Sequence, residues 1–240
     1  MSFLLSPDEV ANNFQDFYNT IDKYISSDRG DLLKKMYDDL GDRVVYAPAS
    51  GKAHFHNAIP GGYLDHILRV VDFSLSTYNS YMEKGLSVDG FTEEELVFVA
   101  LNHDLGKLGF QGDGNETYLP QKDDWRRNNL NEAYIINPDI PFSKVPDRGL
   151  FLLQEAGVKM SWNEFMGIKV HDGIFDEANK PYYISRMESS KFKTNLPYII
   201  WISDMMAAQF EYERYRDSKA PVKTPEKTGE KVTLDDLLNF

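Results

Sequence analysis

Five histidines and a handful of acidic residues set the limits of any metal chemistry in this chain. There is no cysteine, which excludes disulfide staples, thiolate zinc sites, iron–sulfur clusters and a cysteine nucleophile. A metal centre must therefore be built from imidazole and carboxylate. All five histidines fall between positions 54 and 171. His54 and His56 lie in KAHFHNAIPGG, His66 in GGYLDHILRVV, His103 in LNHDLGKLG and His171 in IKVHDG. Each sits near a glycine or at a helix end read from the sequence.

His103 and Asp104 are adjacent, and such a pair can bind one divalent cation while the second carboxylate oxygen bridges another. Gly106 ends the preceding helix and lets the backbone turn close to the pair. Lys107 is then placed to meet a phosphate oxygen or a developing negative charge. Asp204 stands in the apolar run LPYIIWISDMMAAQF. A carboxylate there needs a partner, either a metal ion or an arginine, and the sequence leaves both open. His66 flanks Leu64, Ile67, Leu68 and Val71, a position that suits an inward-projecting ligand and a core histidine equally.

The elements that must carry these residues read as helices. Ser6 and Pro7 mark a cap and a first helical position, followed by Val10, Phe14, Phe17, Tyr18 and Ile21 at helical spacing. A short helix is expected over 31–40, stopped by Gly41. Pro60-Gly61-Gly62 precedes the helix of His66. Thr92 with Glu95 forms a capping box that opens the helix running into His103. Helices are also expected over 146–156, from the capping box at Ser161 to His171, and from Pro197 through Asp204 to Tyr215. Arg43–Tyr46 is the best strand signal. Residues 109–145 are rich in Gly, Pro, Asn and Asp and read as a long irregular loop or lid. The fold class expected is all-α.

At 240 residues, with 42% hydrophobic residues, the chain is long enough for one large domain. Its 26 basic and 38 acidic side chains give a formal charge of −12. That argues against a nucleic-acid coat protein, which needs a basic surface, but not against a small nucleotide held through metal ions. No apolar run approaches the roughly 20 residues of a membrane span. The first ten residues are acidic and lack the basic start of a signal peptide, so a cytoplasmic location is expected.

The order His66, then His103-Asp104, then Asp204, each within helical sequence, resembles the HD superfamily of metal-dependent phosphohydrolases, whose pattern is H…HD…D on a helical bundle. HNAIPGGYLDHILRV is similar to the first histidine motif in branches where further histidines precede a Gly-Gly helix start, among them bacterial 3′–5′ exoribonucleases and HD proteins of phage. ALNHDLGKLG is similar to the HD motif itself. The likeness spans residues 44–216, with 1–43 as an N-terminal helical extension and 217–240 as a tail with a short terminal helix.

The resemblance implies His66, His103, Asp104 and Asp204 as metal ligands and Lys107 as a phosphate contact. His171 matches a later histidine that serves a second metal or protonates the leaving group; here Asp172 follows it where some branches place a second histidine. His54 and His56 match upstream histidines that contact phosphate or metal. Arg148 reads either as a phosphate contact or as a solvated helix residue. Arg126, Arg127 and Trp125 in the 109–145 segment read as exposed residues or as a substrate clamp.

The function expected is hydrolysis of a phosphoester or phosphoanhydride in a nucleotide or similar small phosphorylated substrate. Asp104, Lys107 and His171 would carry the catalysis with one or two divalent ions, and mixed ligation admits Mn, Mg, Fe, Co, Ni or Zn. Two alternatives are a 3′–5′ exonuclease on single-stranded nucleic acid, disfavoured by the charge, and a non-catalytic nucleotide-binding module.

Overall fold

The computed structural model describes residues 4–53, 55–185 and 187–219. Among them are ten α-helices and one two-stranded sheet, so the chain is all-α. Helix α1 (Pro7–Tyr24) starts where local chemistry asks it to. The Ser6 hydroxyl accepts from the Glu9 amide and the Glu9 carboxylate accepts from the Ser6 amide, with Pro7 in the first turn. Helix α2 is Ser27–Asp39. Phe17 and Ile21 from α1 and Leu33 and Met36 from α2 join the same buried cluster as the helices that follow. The core therefore runs unbroken from 1–43 into the rest of the chain.

Arg43–Tyr46, expected as a strand, is the short helix α3. No strand of the described residues lies alongside to pair with it. Local bonds from the Val45 and Tyr46 amides to the Asp42 carbonyl, and from Ala47 to Arg43, satisfy the backbone instead. Its β-branched pair is explained by packing, since Val44 is buried in the core.

Helices α4 (Gly62–Glu83) and α5 (Glu93–Asn102) form the centre of the molecule. Gly62 at the head of α4 has no room for a side chain, because a Cβ there would collide with the Asn57 carbonyl. Helix α5 is capped by Thr92 and Glu95, and every residue from 96 to 102 is buried. Each fully buried Leu, Val or Phe there contributes about 1.5–3 kcal/mol. Such a helix, apolar all round, must be covered on every side. Helices α1, α4, α8 (Trp162–Lys169) and α10 (Leu196–Lys219) pack against it.

The 109–145 segment is less irregular than expected. It holds β1 (Tyr118–Pro120), α6 (Asp124–Leu130) and β2 (Tyr134–Ile136), with Tyr118 opposite Ile136 and Pro120 opposite Tyr134 in an antiparallel hairpin. Helix α7 (Val145–Glu155) follows, and a short helix α9 (Lys180–Ile184) lies between α8 and α10. The expected terminal helix in the tail falls within 220–240, outside the described residues. No helix of the described residues is long and apolar enough to cross a membrane.

Candidate metal centre

Four elements bring five side chains to a common point. His66 sits in the second turn of α4 and is fully buried. His103 caps the C-terminus of α5, and Asp104 follows it. His171 comes just after α8, and Asp204 lies in the third turn of α10. The Nε2 atom of His66 is 3.2 Å from Asp204 Oδ1 and 3.5 Å from Asp104 Oδ2. His103 Nε2 is 3.5 Å from Asp104 Oδ2 and 3.9 Å from Asp204 Oδ1. His171 Nε2 lies 3.5 Å from the other Asp104 oxygen. The structure thus brings together His66, His103, Asp104 and Asp204, the four residues that the resemblance implied as metal ligands, with His171 at the edge.

The turn after α5 explains why two ligand types and a lysine fit there. A 3-10 turn over Leu105–Leu108 folds Lys107 back onto Asp104, its Nζ 2.5 Å from Oδ2. Gly106 in that turn lies against the start of α7, where a Cβ would collide with the Val145 carbonyl. His56 meets the same turn from the other side, its Nε2 3.3 Å from Lys107 Nζ and its ring tilted by 35° against that of His66, centre to centre 4.9 Å.

The second ring nitrogen of each ligand histidine decides which atom is available. Nδ1 of His103 donates to the Ala100 carbonyl at 2.9 Å, and Nδ1 of His171 to the Ile168 carbonyl at 2.8 Å. Nδ1 of His66 donates to the Glu211 carboxylate at 3.2 Å. With Nδ1 donating to these partners, Nε2 is the atom each ring turns to the centre, and it can take a metal once it gives up any proton it holds.

Among the described residues, Nε2 of both His66 and His103 is buried with no hydrogen-bond partner. Leaving such an atom unpaired costs about 1–3 kcal/mol, and a cation removes that cost. Three overlapping groups have ligand atoms within 4.8 Å of one another: His56–His66–Asp104, His66–His103–Asp204 and His103–Asp104–His171. The orphaned nitrogens and the mixed nitrogen and oxygen donors both fit a divalent ion, so the buried cluster could hold one.

The electrostatics follow from five cationic or basic groups around Asp104 and Asp204. Burial works against ionising Asp104, but Lys107 and the surrounding histidines outweigh it and hold the carboxyl well below its usual range. Asp204 is likewise depressed, burial being overcome by His66 and His103. Burial also opposes a proton on His66, yet Glu211 and Asp204 push it up to about 10. His171 rises to about 9 as Asp104 and Asp172 overcome the same penalty. For His103 burial prevails and lowers it to about 4. Burial and then Lys107 carry His56 well below its ordinary value. Lys107 stays firmly protonated, because Asp104 offsets its burial.

The other residues singled out from the sequence are placed differently. His54 lies outside the described residues. Arg148, first read as solvated or phosphate-facing, is 5% exposed. It donates to the Gly106 carbonyl at 3.0 Å, to Thr117 Oγ1 at 2.6 Å and to the Pro141 carbonyl at 3.3 Å. It therefore ties the turn behind His103-Asp104 to the 109–145 segment. Arg126 and Arg127 on α6 are engaged within that segment, by Glu132 and by Asp124 with the Gln121 carbonyl, while Trp125 is exposed.

Glu211 escaped sequence reasoning. It is fully buried, it is also bound by Arg69 Nε at 3.1 Å, and Arg69 is paired with Asp65 at 2.6 Å. The signal was its place seven residues after Asp204, two turns along the same helical face. Compared with known proteins, the chain matches no family model, no curated protein and no solved structure.

Proposed function

We propose that the chain is a metal-dependent phosphohydrolase of the HD type, acting on a nucleotide or a similar small phosphorylated substrate. The observation that carries this reading is the convergence of the His66 and His103 Nε2 atoms, buried and unpaired, on Asp104 and Asp204. A divalent ion bound there supplies an acidified water and a polarised phosphoryl oxygen. The remaining roles belong to the chain. Lys107, held positive against Asp104, offers its ammonium to the charge that grows on the phosphoryl oxygens. His171 is pushed up to about 9 and so carries a proton at neutral pH. Its Nε2 can pass that proton to the leaving oxygen as the P–O bond breaks. Asp104 bridges the two sides, touching His66 and His103 through one oxygen and His171 through the other. Glu211 accepts from Nδ1 of His66 and so holds the ring with Nε2 toward the centre.

The test is turnover of a panel of nucleotides and simple phosphoesters with added Mn or Mg, alongside metal analysis of the purified protein. Product is expected from the wild type and metal in it, with Asp104→Ala losing both. Equal product release by the two proteins would remove the cluster from the chemistry.

A further inference from the structure

His56, which meets the cluster, also lines a groove that the reaction so far leaves unused. It measures about 1000 Å³, at the upper end of the range for a small-molecule site. Phe73 of α4, Phe175 beyond α8, and Ile202, Met205, Met206 and Phe210 of α10 form its walls. Met205, Met206 and Phe210 are 43%, 44% and 42% exposed, on the longest helix of the molecule. Large apolar side chains gathered in that way mark a binding surface, and methionine adapts its shape to apolar guests.

Two observations say what the occupant is. First, His56 belongs both to the groove wall and to the cluster, and α10 sends Asp204 to the cluster and the residues beside it to the groove. A molecule with its phosphoryl group at the cluster has its organic part in the groove. Second, among the described residues no lysine or arginine lines the groove, Arg69 lying over the Phe210 ring at 4.5 Å, and the polar groups of the groove are His56, Gln209, Tyr212 and Glu213. Gln209 already donates to Glu213, the one carboxylate of that set, at 2.9 Å. A second phosphate would meet the Glu213 carboxylate, and the polar edges of a base and ribose would leave unpaired groups against apolar walls.

We infer that the organic part of the substrate is large and apolar and lies in this groove, so that the enzyme cleaves phosphomonoesters of apolar alcohols in preference to nucleotides. The inference rests on the hydrolase reading above and narrows its substrate class. The reaction is the same: a water oxygen bonds to phosphorus, the ester P–O bond breaks, and the alcohol leaves with the proton from His171.

The deciding measurement is calorimetric binding of butyl-, hexyl-, octyl- and decylphosphonate to the full chain, with and without Mn. Each pair of added methylenes is expected to tighten the Kd about tenfold. Met206→Glu and Phe210→Asp should flatten that series while their melting curves stay cooperative. A flat series in the wild type overturns the inference, as does a series that neither variant changes. A dimer that Met206→Glu dissociates, with no chain-length dependence in the wild type, would make the groove a self-association face and overturn it too. Turnover of the matching alkyl phosphates separates the two readings. A steep binding series with no product from any phosphoester sinks the hydrolase reading and leaves the groove standing as an apolar-anion site. Product from small phosphoesters with a flat series does the reverse.

Discussion

The two faces of α10 differ in a way that inverts the usual order of an amphipathic helix. The inward face runs through Ile199, Ile200, Ser203, Ala207 and Glu211 and carries Asp204 beside it. The outward face carries Met205, Met206 and Phe210 in contact with solvent. Two carboxylates are turned in and three large apolar groups are turned out. Each half of that arrangement is unfavourable unless something compensates. On the inside the compensation is visible: His66 and Arg69 meet Glu211, and the imidazoles of His66 and His103 meet Asp204. On the outside Arg69 lies over one edge of the patch, its guanidinium 4.5 Å from the Phe210 ring centre, and for the exposed methionines a guest of apolar chemistry is the natural counterpart. A helix whose burial pattern contradicts its polarity on both sides is shaped by a site as well as by packing.

The contrast can be broken most sharply on the inner face. Asp204→Asn removes one charge from the centre while keeping shape. Turnover is expected to fall on the order of a thousandfold, since the ion's share of transition-state stabilisation is several kcal/mol. Turnover of the Asn variant within a factor of two of wild type would show that the buried carboxylate serves packing alone.

Glu211→Gln is the next largest. It keeps a hydrogen-bond acceptor against His66 but removes the carboxylate, and Mn affinity measured by calorimetry should weaken about 10–100-fold. An unchanged affinity would mean that the pairs of Glu211 with His66 and Arg69 only fill the interior.

The pH dependence of metal binding follows in size, and its sign comes from His66. In the metal-free chain His66 is pushed up to about 10, so between pH 6 and 8 its Nε2 carries a proton that an ion must displace. Asp104 and Asp204 are depressed and His103 is lowered to about 4, so none of them competes in that range. Affinity should rise with pH, about tenfold per unit for one proton released. A pH-independent Kd between 6 and 8 would contradict the protonated His66.

The outer face should respond least. Met205→Gln is expected to change stability by no more than about 0.5 kcal/mol in urea denaturation, because the side chain is already half in water. A loss of several kcal/mol would mean that Met205 belongs to the core and that the groove is smaller than it looks.

Much of this was legible along the chain, for reasons that differ by residue. The capping boxes at Ser6, Thr92 and Ser161 and the helices they open appear where local chemistry dictates, because a cap needs only residues three apart. Arg43–Tyr46 misled because β-branched residues are enriched both in strands and at buried positions, and only the absence of a neighbouring strand separates the two. The hairpin of β1 and β2 was hidden for a similar reason. Three-residue strands that pair only with each other leave too little periodicity to see. Arg148 looked solvated because its acceptors are carbonyls and a threonine from elsewhere in the chain, and carbonyl positions have no signature in sequence.

The amino-acid sequence by itself determined the donor set. With five histidines and no cysteine, any centre had to be nitrogen and oxygen, and His103-Asp104 with Lys107 one turn on was local enough to read directly. Tertiary structure alone decided which ring nitrogens point inward. That choice depends on Nδ1 partners contributed by the Ala100 and Ile168 carbonyls and by Glu211, which is 145 residues from His66. It alone decided, too, that the apolar side of α10 would stay uncovered beside the centre, since whether a helix face is core or groove depends on what the rest of the chain lays against it.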